Sequence, residues 1–265
     1  MAFKFHKNKD KYFNWQYVNS KEAIIPFIET YCGLDENTRV LEIGCAEAGV
    51  LKAFVEKGCT CVGVELMENR LEYARHYMAE AMKQGRIEFV SKDIYEIDID
   101  KEFEQKFDLI ILKDVIEHIH DQPKIMVKLQ EYLNPGGHIY MGFPPWQMPY
   151  GGHQQVARTK LLSKLPYYHL LPMWLYRFVL KLGEREDKVN NLCEIKETGI
   201  SIEQFEKYAK HANYEVVKRT LFLIRPIYRF KFGLKPRKQW KFIERLPYLR
   251  NYITTGAYYL IKTKG

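Results

Sequence analysis

This sequence predicts an α/β domain with a mostly parallel sheet and helices on both faces, on three observations. From residue 38 to 145, short apolar runs alternate with helical patterns, the mark of βαβ units. One such run, Val40-Leu41-Glu42-Ile43, leads straight into the glycine-bearing loop Gly44-Cys45-Ala46-Glu47-Ala48-Gly49 and then a helix. A length of 265 residues, 46% hydrophobic and 28% charged, suffices for one such domain plus an appendage. That composition excludes a disordered, collagen-like or multi-span membrane protein.

The elements follow in order. Residues 1–37 form a lead-in whose aromatic-rich stretch Asn14 to Tyr31 reads as a helix that either lies across a ligand site or caps the sheet. Arg39 to Ile43 is the first strand, and Glu47 to Lys57 is a helix closed by Gly58. Thr60 to Glu65 is the second strand, Glu68 to Lys83 a helix ending before Gly85, and Arg86 to Val90 the third strand. Phe107 to Leu112 and His138 to Phe143 are the fourth and fifth strands, separated by a helix that Pro123 opens and by the turn Pro135-Gly136-Gly137. These make residues 38–145 the core. The pattern then breaks, and residues 146–200 read as an inserted helical cap. Residues 201–265 supply helix Ile202 to His211, strand Tyr214 to Ile224 and a final strand Ala257 to Lys262. Seven strands are therefore expected, with one antiparallel near the C-terminus.

The glycine loop has the spacing of a dinucleotide fingerprint, with Gly44, Ala46 and Gly49 at its three glycine positions. Its middle position must admit a pyrophosphate, yet here Ala46 is followed by Glu47, and Glu42 stands just before the turn. Carboxylates there repel phosphate and suit a cationic, phosphate-free ligand. At this point the chain resembles the class I S-adenosylmethionine-dependent methyltransferases, whose fold is Rossmann-like. The resemblance implies that Glu42, Gly44, Cys45 and Gly49 surround the methionine part of S-adenosylmethionine. It likewise implies that Glu65, with Leu66 beside it, holds the ribose hydroxyls, and that Asp93 and Ile94 of Ser91-Lys92-Asp93-Ile94 meet the adenine. Glu65 stands 21 residues after Gly44, as a carboxylate at the tip of the adjacent strand must.

Lys113-Asp114-Val115-Ile116-Glu117-His118 resembles the fourth motif of the branch related to ubiquinone-biosynthesis O-methyltransferases. Asp114, Glu117 and His118 fall at i, i+3 and i+4, so a short helix would put them on one face. His118 is then a candidate general base, the trio a candidate divalent-metal site, or Glu117 and His118 a brace for the loop. No metal is assigned. His153, in Tyr150-Gly151-Gly152-His153-Gln154-Gln155 beyond the fifth strand, is a second candidate base or a surface histidine in a glycine turn.

Leu161 to Leu182 is apolar, with Tyr167, Tyr168, Trp174 and Tyr176 suited to an apolar/water boundary. It reads as a lid, an interfacial helix, a dimer contact or an ordinary buried cap. Between Lys218 and Arg250, eleven basic residues face Glu244 alone, a local +10 against a whole-chain +8. The rest of the chain is then −2, which disfavours a uniformly basic nucleic-acid surface and favours a local anion-facing segment, 225–250, or a solvated basic face. Five cysteines without a CxxC pair, a polar N-terminus and no apolar stretch near 20 residues point to a cytoplasmic protein, with peripheral contact at the inner membrane face an option.

The expected function is methyl transfer from S-adenosylmethionine to a small or lipid-like acceptor, with oxygen favoured over nitrogen or carbon. Asp114, His118 and His153 are the catalytic candidates. The alternative is a non-catalytic cofactor-fold scaffold that binds membrane or RNA through the basic segment. The sequence does not set the oligomeric state.

Overall fold

The computed structural model describes residues 8–154 and 157–264. The start of the lead-in, residues 1–7, and Gln155 lie outside the described residues. Helix α1 (Lys9–Asn19) begins earlier than expected, because Asn8 caps it by accepting a hydrogen bond from the Lys11 N–H at 2.9 Å. It runs through one π turn (Ser20–Ile24) into α2 (Ile25–Ile28). Pro26 has no amide hydrogen to give the helix, and the wider turn ahead of it accommodates the missing bond.

Next come β1 (Arg39–Ile43), α3 (Gly49–Glu56), β2 (Thr60–Val64), α4 (Glu68–Tyr77), α5 (Ala79–Lys83) and β3 (Ile87–Val90). The single helix expected from Glu68 to Lys83 is broken at Met78, whose φ of −109° and ψ of 15° leave the helical region. Then follow α6 (Ile99–Glu102), β4 (Phe107–Lys113), α7 (Gln122–Tyr132) and β5 (Leu133–Phe143). The stretch after β5 holds α8 (Lys160–Lys164), α9 (Met173–Lys181) and α10 (Glu186–Glu197), with a small core of their own around Leu162, Tyr176, Leu180 and Leu192. Helix α11 (Ile202–His211) opens with a capping box between Ser201 and Gln204 and leads into β6 (Tyr214–Ile224). The basic segment forms α12 (Tyr228–Phe232), β7 (Arg237–Lys238), α13 (Lys241–Glu244) and α14 (Leu249–Ile253) before β8 (Gly256–Thr263).

The strands form one sheet in the order β3-β2-β1-β4-β5-β8-β6-β7. It has eight strands, not seven. The additional one, β7, pairs antiparallel with Phe222 and Ile224 of β6 over two residues, too few to leave an alternating pattern in the sequence. Besides β7, the long strand β8 runs antiparallel to both its neighbours, and the rest are parallel. Val40, Cys61, Leu109, Ile111 and Tyr140 enter one core layer with Leu51 and Phe54 of α3, while Leu41, Val62, Ile110, Leu112 and Met141 enter the other with Ile125, Leu129 and Phe205. Burial on both faces explains why these strands read as continuous apolar runs. Among the described residues no helix is long and apolar enough to cross a membrane.

Helix α1 packs across the start of α3, above the carboxyl end of β1. A Cβ on Gly49 would lie 2.6 Å from the Phe13 carbonyl oxygen and 2.8 Å from Gln16 Cβ. Gly49→Ala must push α1 away and should lower stability by about 1–3 kcal/mol in urea unfolding, as overpacking does. Gly33→Ala, with open space around its Cβ, is the control and should be neutral.

Candidate active site

The chain leaves β1 toward β2 on one side, and β4 lies on the other, so a crevice opens at their carboxyl ends. Gly44 turns there at φ +69°, and a Cβ on it would meet Val115 Cγ2 at 2.6 Å. Gly63 is held as tightly, its Cβ position 2.7 Å from Cys45 Sγ. The loop amides are already used: Gly44 and Cys45 N–H donate to the Val64 carbonyl at 2.8 and 3.1 Å, and Ala46 N–H donates to Glu65 Oε2 at 3.0 Å. With these three amides spent on protein acceptors and the carboxylates of Glu42 and Glu47 close by, the first half of the loop offers a pyrophosphate neither donors nor a favourable charge.

Glu65 also accepts from the Met67 N–H at 3.1 Å and has Arg70 at 3.9 Å, so it clamps the glycine loop to the end of β2. The crevice, about 90 Å³, is lined by Tyr12, Gln16, Glu42, Gly44, Arg70 and Lys113 among others. Glu42 is buried there with Oε2 lacking a hydrogen-bond partner, and burial, opposed by Lys113, raises its pKa well above the carboxylate range. An orphaned acceptor beside a phosphate-averse loop fits a ligand that brings an amino group and hydroxyls, as S-adenosylmethionine does. Cys45 and Gly49 are buried in the loop behind it. Asp93 accepts from the Tyr95 N–H at 2.9 Å, Ile94 is buried in the core below, and Leu66 is 67% exposed beside Glu65.

The helical face expected for Asp114, Glu117 and His118 does not form. Asp114 adopts φ +56°, and only Ile116–His118 is helical, as a single 3₁₀ turn. The Asp114 N–H donates to the Gly142 carbonyl at 2.7 Å. Lys113 Nζ donates to Asp114 Oδ2 at 2.8 Å and Arg225 Nη1 to Oδ1 at 2.7 Å. Burial alone would raise the pKa of Asp114, but Arg225 and Lys113 outweigh it and hold the carboxyl well below its usual range. Asp114 is thus a fixed anion with both oxygens engaged, ill placed to act as a base.

His153 takes the place beside Glu117 and His118 that Asp114 leaves. The two imidazole centroids are 5.0 Å apart at 67°, and donor atoms of Glu117, His118 and His153 all lie within 4.8 Å of one another. Both Glu117 oxygens are buried without a hydrogen-bond partner, and burial with the nearby Asp114 charge pushes its pKa up to about 8. Burial and His118 push His153 down to about 3, and burial also lowers His118, which is exposed at its outer side. The diglycine before His153 is tightly packed: a Cβ on Gly151 would collide with the Trp146 carbonyl oxygen and one on Gly152 with His169 Cβ.

Several residues that build the site gave no local signal. Gln122 Nε2 donates to the Ile116 and Thr198 carbonyls at 3.1 and 2.6 Å, and Thr198 Oγ1 donates to the Glu117 carbonyl at 2.7 Å, so α7 and the end of α10 hold the 3₁₀ turn. His169, fully buried and bridging the Trp146 carbonyl at 2.9 Å and Gln154 at 3.4 Å, fastens the loop that carries His153. Arg225 lies 111 residues from its partner Asp114.

A Rossmann-like sheet with carboxylates at its switch point and a phosphate-averse glycine loop defines the class of S-adenosylmethionine-dependent methyltransferases. The profile of a family described as a methyltransferase domain matches residues 15–219, well over half the chain, and the chain belongs to that family. It is similar to ubiquinone biosynthesis O-methyltransferases: 24% identical over 115 residues to that of Leptothrix cholodnii, covering 43% of this chain and 48% of the relative. With that of Thiobacillus denitrificans it is 28% identical over 102 residues, covering 38% and 42%. The match thus spans about half or less of these relatives' length. Among solved structures, a S-adenosylmethionine-dependent methyltransferase from Clostridium acetobutylicum aligns with 98% of this chain and 94% of its own at 14% identity and a TM-score of 0.55. The plantazolicin methyltransferase BpumL, solved with S-adenosylhomocysteine, aligns with 99% and 95% at 12% identity and a TM-score of 0.57.

Glu65→Ala should weaken S-adenosylhomocysteine binding by about 1–3 kcal/mol in calorimetry, the worth of lost charged hydrogen bonds. Glu65→Gln should recover part of it, because its amide oxygen still accepts from the Ala46 N–H. Unchanged affinity in both variants would remove Glu65 from the site.

Proposed function

We propose that the chain transfers the methyl group of S-adenosylmethionine to a hydroxyl of a small or lipid-like acceptor, with His118 as the general base. The observation that carries this reading is the pair of imidazoles 5.0 Å apart next to the strand ends that line the cofactor crevice. S-adenosylmethionine supplies a methyl group already activated on a sulfonium. The protein's part is to hold the acceptor oxygen in line and take its proton. Glu42, the glycine loop, Glu65 and Asp93 would hold the cofactor. A base works best with a pKa near the working pH, so His153, lowered to about 3, is too weak to take the proton at neutral pH. His118, also lowered by burial, is a neutral imidazole above its titration and is exposed to an incoming acceptor. His153 then serves as the neutral partner that sets its orientation.

Rates should rise with pH through the His118 titration, below its ordinary 6.5, and stay level above it. His118→Ala should cost about 10²- to 10⁴-fold and erase that acid limb, while His153→Ala should lower the rate without moving it. Loss of turnover with a chelator, restored by a divalent ion, would replace the base with a metal bound by Glu117, His118 and His153. Formation of S-adenosylhomocysteine with a cell extract separates an enzyme from a scaffold, which binds the cofactor without consuming it.

The lipid-like acceptor is supported by the surface. Trp174, Phe178 and Leu182 lie one helical turn apart at 72, 59 and 73% exposure, with Arg177 and Lys181 between them. The basic segment adds exposed Trp240, Phe242, Tyr248 and Leu249, and Tyr167 Oη donates to the Tyr252 carbonyl at 3.0 Å, joining the two aromatic surfaces. The charge excess is smaller than a count suggests. Arg219, Arg225, Arg229 and Arg250 are in ion pairs and Lys218 bonds the Phe27 carbonyl, while Lys235, Arg237, Lys238, Lys241 and Arg245 are exposed. At about 1 kcal/mol per basic residue near an anionic surface, these with shallow burial of Trp174 give reversible attachment. In liposome flotation, binding should require anionic lipid, fall with salt, and drop on neutralising Arg237, Lys238 and Lys241. An enzyme that fails to float at low salt draws its acceptor from solution.

A further inference from the structure

Helix α1 forms one wall of the crevice through Tyr12, Phe13 and Gln16, and two buried acceptor oxygens there have no donor. The helix is fastened along its length. Phe13 stacks on Tyr77 of α4 at 4.3 Å between ring centres, Tyr77 Oη donates to Asp10 at 2.6 Å, and Tyr17 Oη donates to Glu56 of α3 at 2.6 Å. Gln16 is seated against the glycine loop, its Cβ 2.8 Å from the position a Cβ on Gly49 would take. Its Nε2 donates to Tyr12 Oη, one helical turn back, at 2.7 Å. Its Oε1 is buried and has no hydrogen-bond partner among the described residues, and the same holds for Oε2 of Glu42 on β1. Both residues line the one crevice. The other charged groups of that lining are matched: Glu47 pairs with Lys9, Lys113 with Asp114, and Arg70 stands 3.9 Å from Glu65.

We infer that Gln16 is a cofactor-binding residue supplied by α1, its Oε1 accepting, together with Glu42 Oε2, hydrogen bonds from the α-ammonium group of S-adenosylmethionine. Leaving a buried acceptor without a donor is unfavourable, so two of them on one crevice call for a ligand that donates. An ammonium carries three N–H donors, no acceptor and a positive charge. The carboxylate of the cofactor would oppose acceptors with an acceptor, which excludes it from this position. Glu42 fits the same occupant: burial raises its pKa well above the usual range, and an arriving cation favours the carboxylate again. Nε2 of Gln16 is committed to Tyr12, so the amide is held with its oxygen as the unused atom. The rival occupant is a water molecule, which would satisfy both oxygens without charge. The glycine-loop motif gives no sign of this role, because Gln16 lies 26 residues ahead of Glu42 in a separate helix. The inference rests on the cofactor and is independent of the acceptor.

The test is calorimetry on the full chain with three ligands. These are S-adenosylhomocysteine, its deaminated analogue with hydrogen in place of the amino group, and 5′-methylthioadenosine, which lacks the amino-acid part altogether. Gln16→Met keeps the length and helix preference of the side chain and removes the acceptor. It should weaken S-adenosylhomocysteine about tenfold, the worth of a hydrogen bond to a charged group, and change the other two ligands by less than about twofold. Gln16→Glu, which keeps an acceptor there, should recover most of the loss. The wild-type chain should bind the deaminated analogue about tenfold or more weakly than S-adenosylhomocysteine, a comparison that needs no variant to fold. Unchanged S-adenosylhomocysteine affinity in Gln16→Met would overturn the inference and leave water as the occupant. Equal losses for all three ligands would also overturn it, by making Gln16 a packing residue of α1. So would equal wild-type affinity for the deaminated analogue. Failure of the wild-type chain to bind S-adenosylhomocysteine at all would instead strike the cofactor assignment.

Discussion

The site is organised by the ion pair between Asp114 and Arg225. Asp114 ends β4 in a left-handed conformation and gives its N–H to Gly142 on β5. Arg225 starts from the end of β6 and reaches it across β8, passing over Gly256, where a Cβ would lie 3.0 Å from Arg225 Cβ. One buried side-chain contact thus binds the ends of four neighbouring strands. Removing Asp114 would leave Arg225 and Lys113 without the carboxylate that pairs them, at a cost of about 3–5 kcal/mol, whereas Asp114 keeps Lys113 when Arg225 is lost. The same contact fixes which way the next residues go: with Asp114 turned back over the sheet, the 3₁₀ turn carries Glu117 and His118 toward the loop after β5. The histidine pair is a consequence of that turn.

What the sequence revealed divides along the same line. The glycine loop, Glu65 and Asp93 each follow their own strand within a few residues, so local pattern alone places them at neighbouring strand ends. The proposed acceptor side is assembled from residues far apart in the chain: His118 with His153, Gln122 with Thr198, Asp114 with Arg225. No periodicity links such pairs. The i, i+3, i+4 spacing of Asp114, Glu117 and His118 would share one face only on a helix, and the positive φ of Asp114 keeps it out of the turn that carries the other two. β7 escaped notice for a different reason, since a two-residue strand owes its existence to β6 and not to its own composition. The basic segment was visible as a count, but which of its charges face solvent depended on Glu22, Glu203 and Glu206 in distant helices.

Charge state separates the two sides as clearly as position does. At the acceptor side, Glu117 and both histidines are pushed toward their neutral forms by burial, while Asp114, Lys113 and Arg225 stay charged because each has a partner at hydrogen-bond distance. A neutral imidazole can take a proton, and a charged pair can hold a geometry. Neither could do the other's work. The fixed ion pair is therefore scaffold, and the unpaired neutral groups next to it are where proton transfer can occur.

This separation also limits how the site can vary. The amides of Gly44, Cys45 and Ala46 are engaged within the β1–β2 end, and Gly44, Gly49 and Gly63 leave no room for side chains, so this loop tolerates little change. On the acceptor side, the loop bearing His153, the helices after β5 and the segment after β6 come from three separate stretches, tied together by His169, Tyr167 and Arg225. Substitutions there can alter the shape and charge offered to an acceptor while Val64 and Glu65 go on holding the loop. On the proposed function, selectivity for the acceptor would reside in contacts between distant segments, and recognition of the cofactor chiefly in the turn between two consecutive strands.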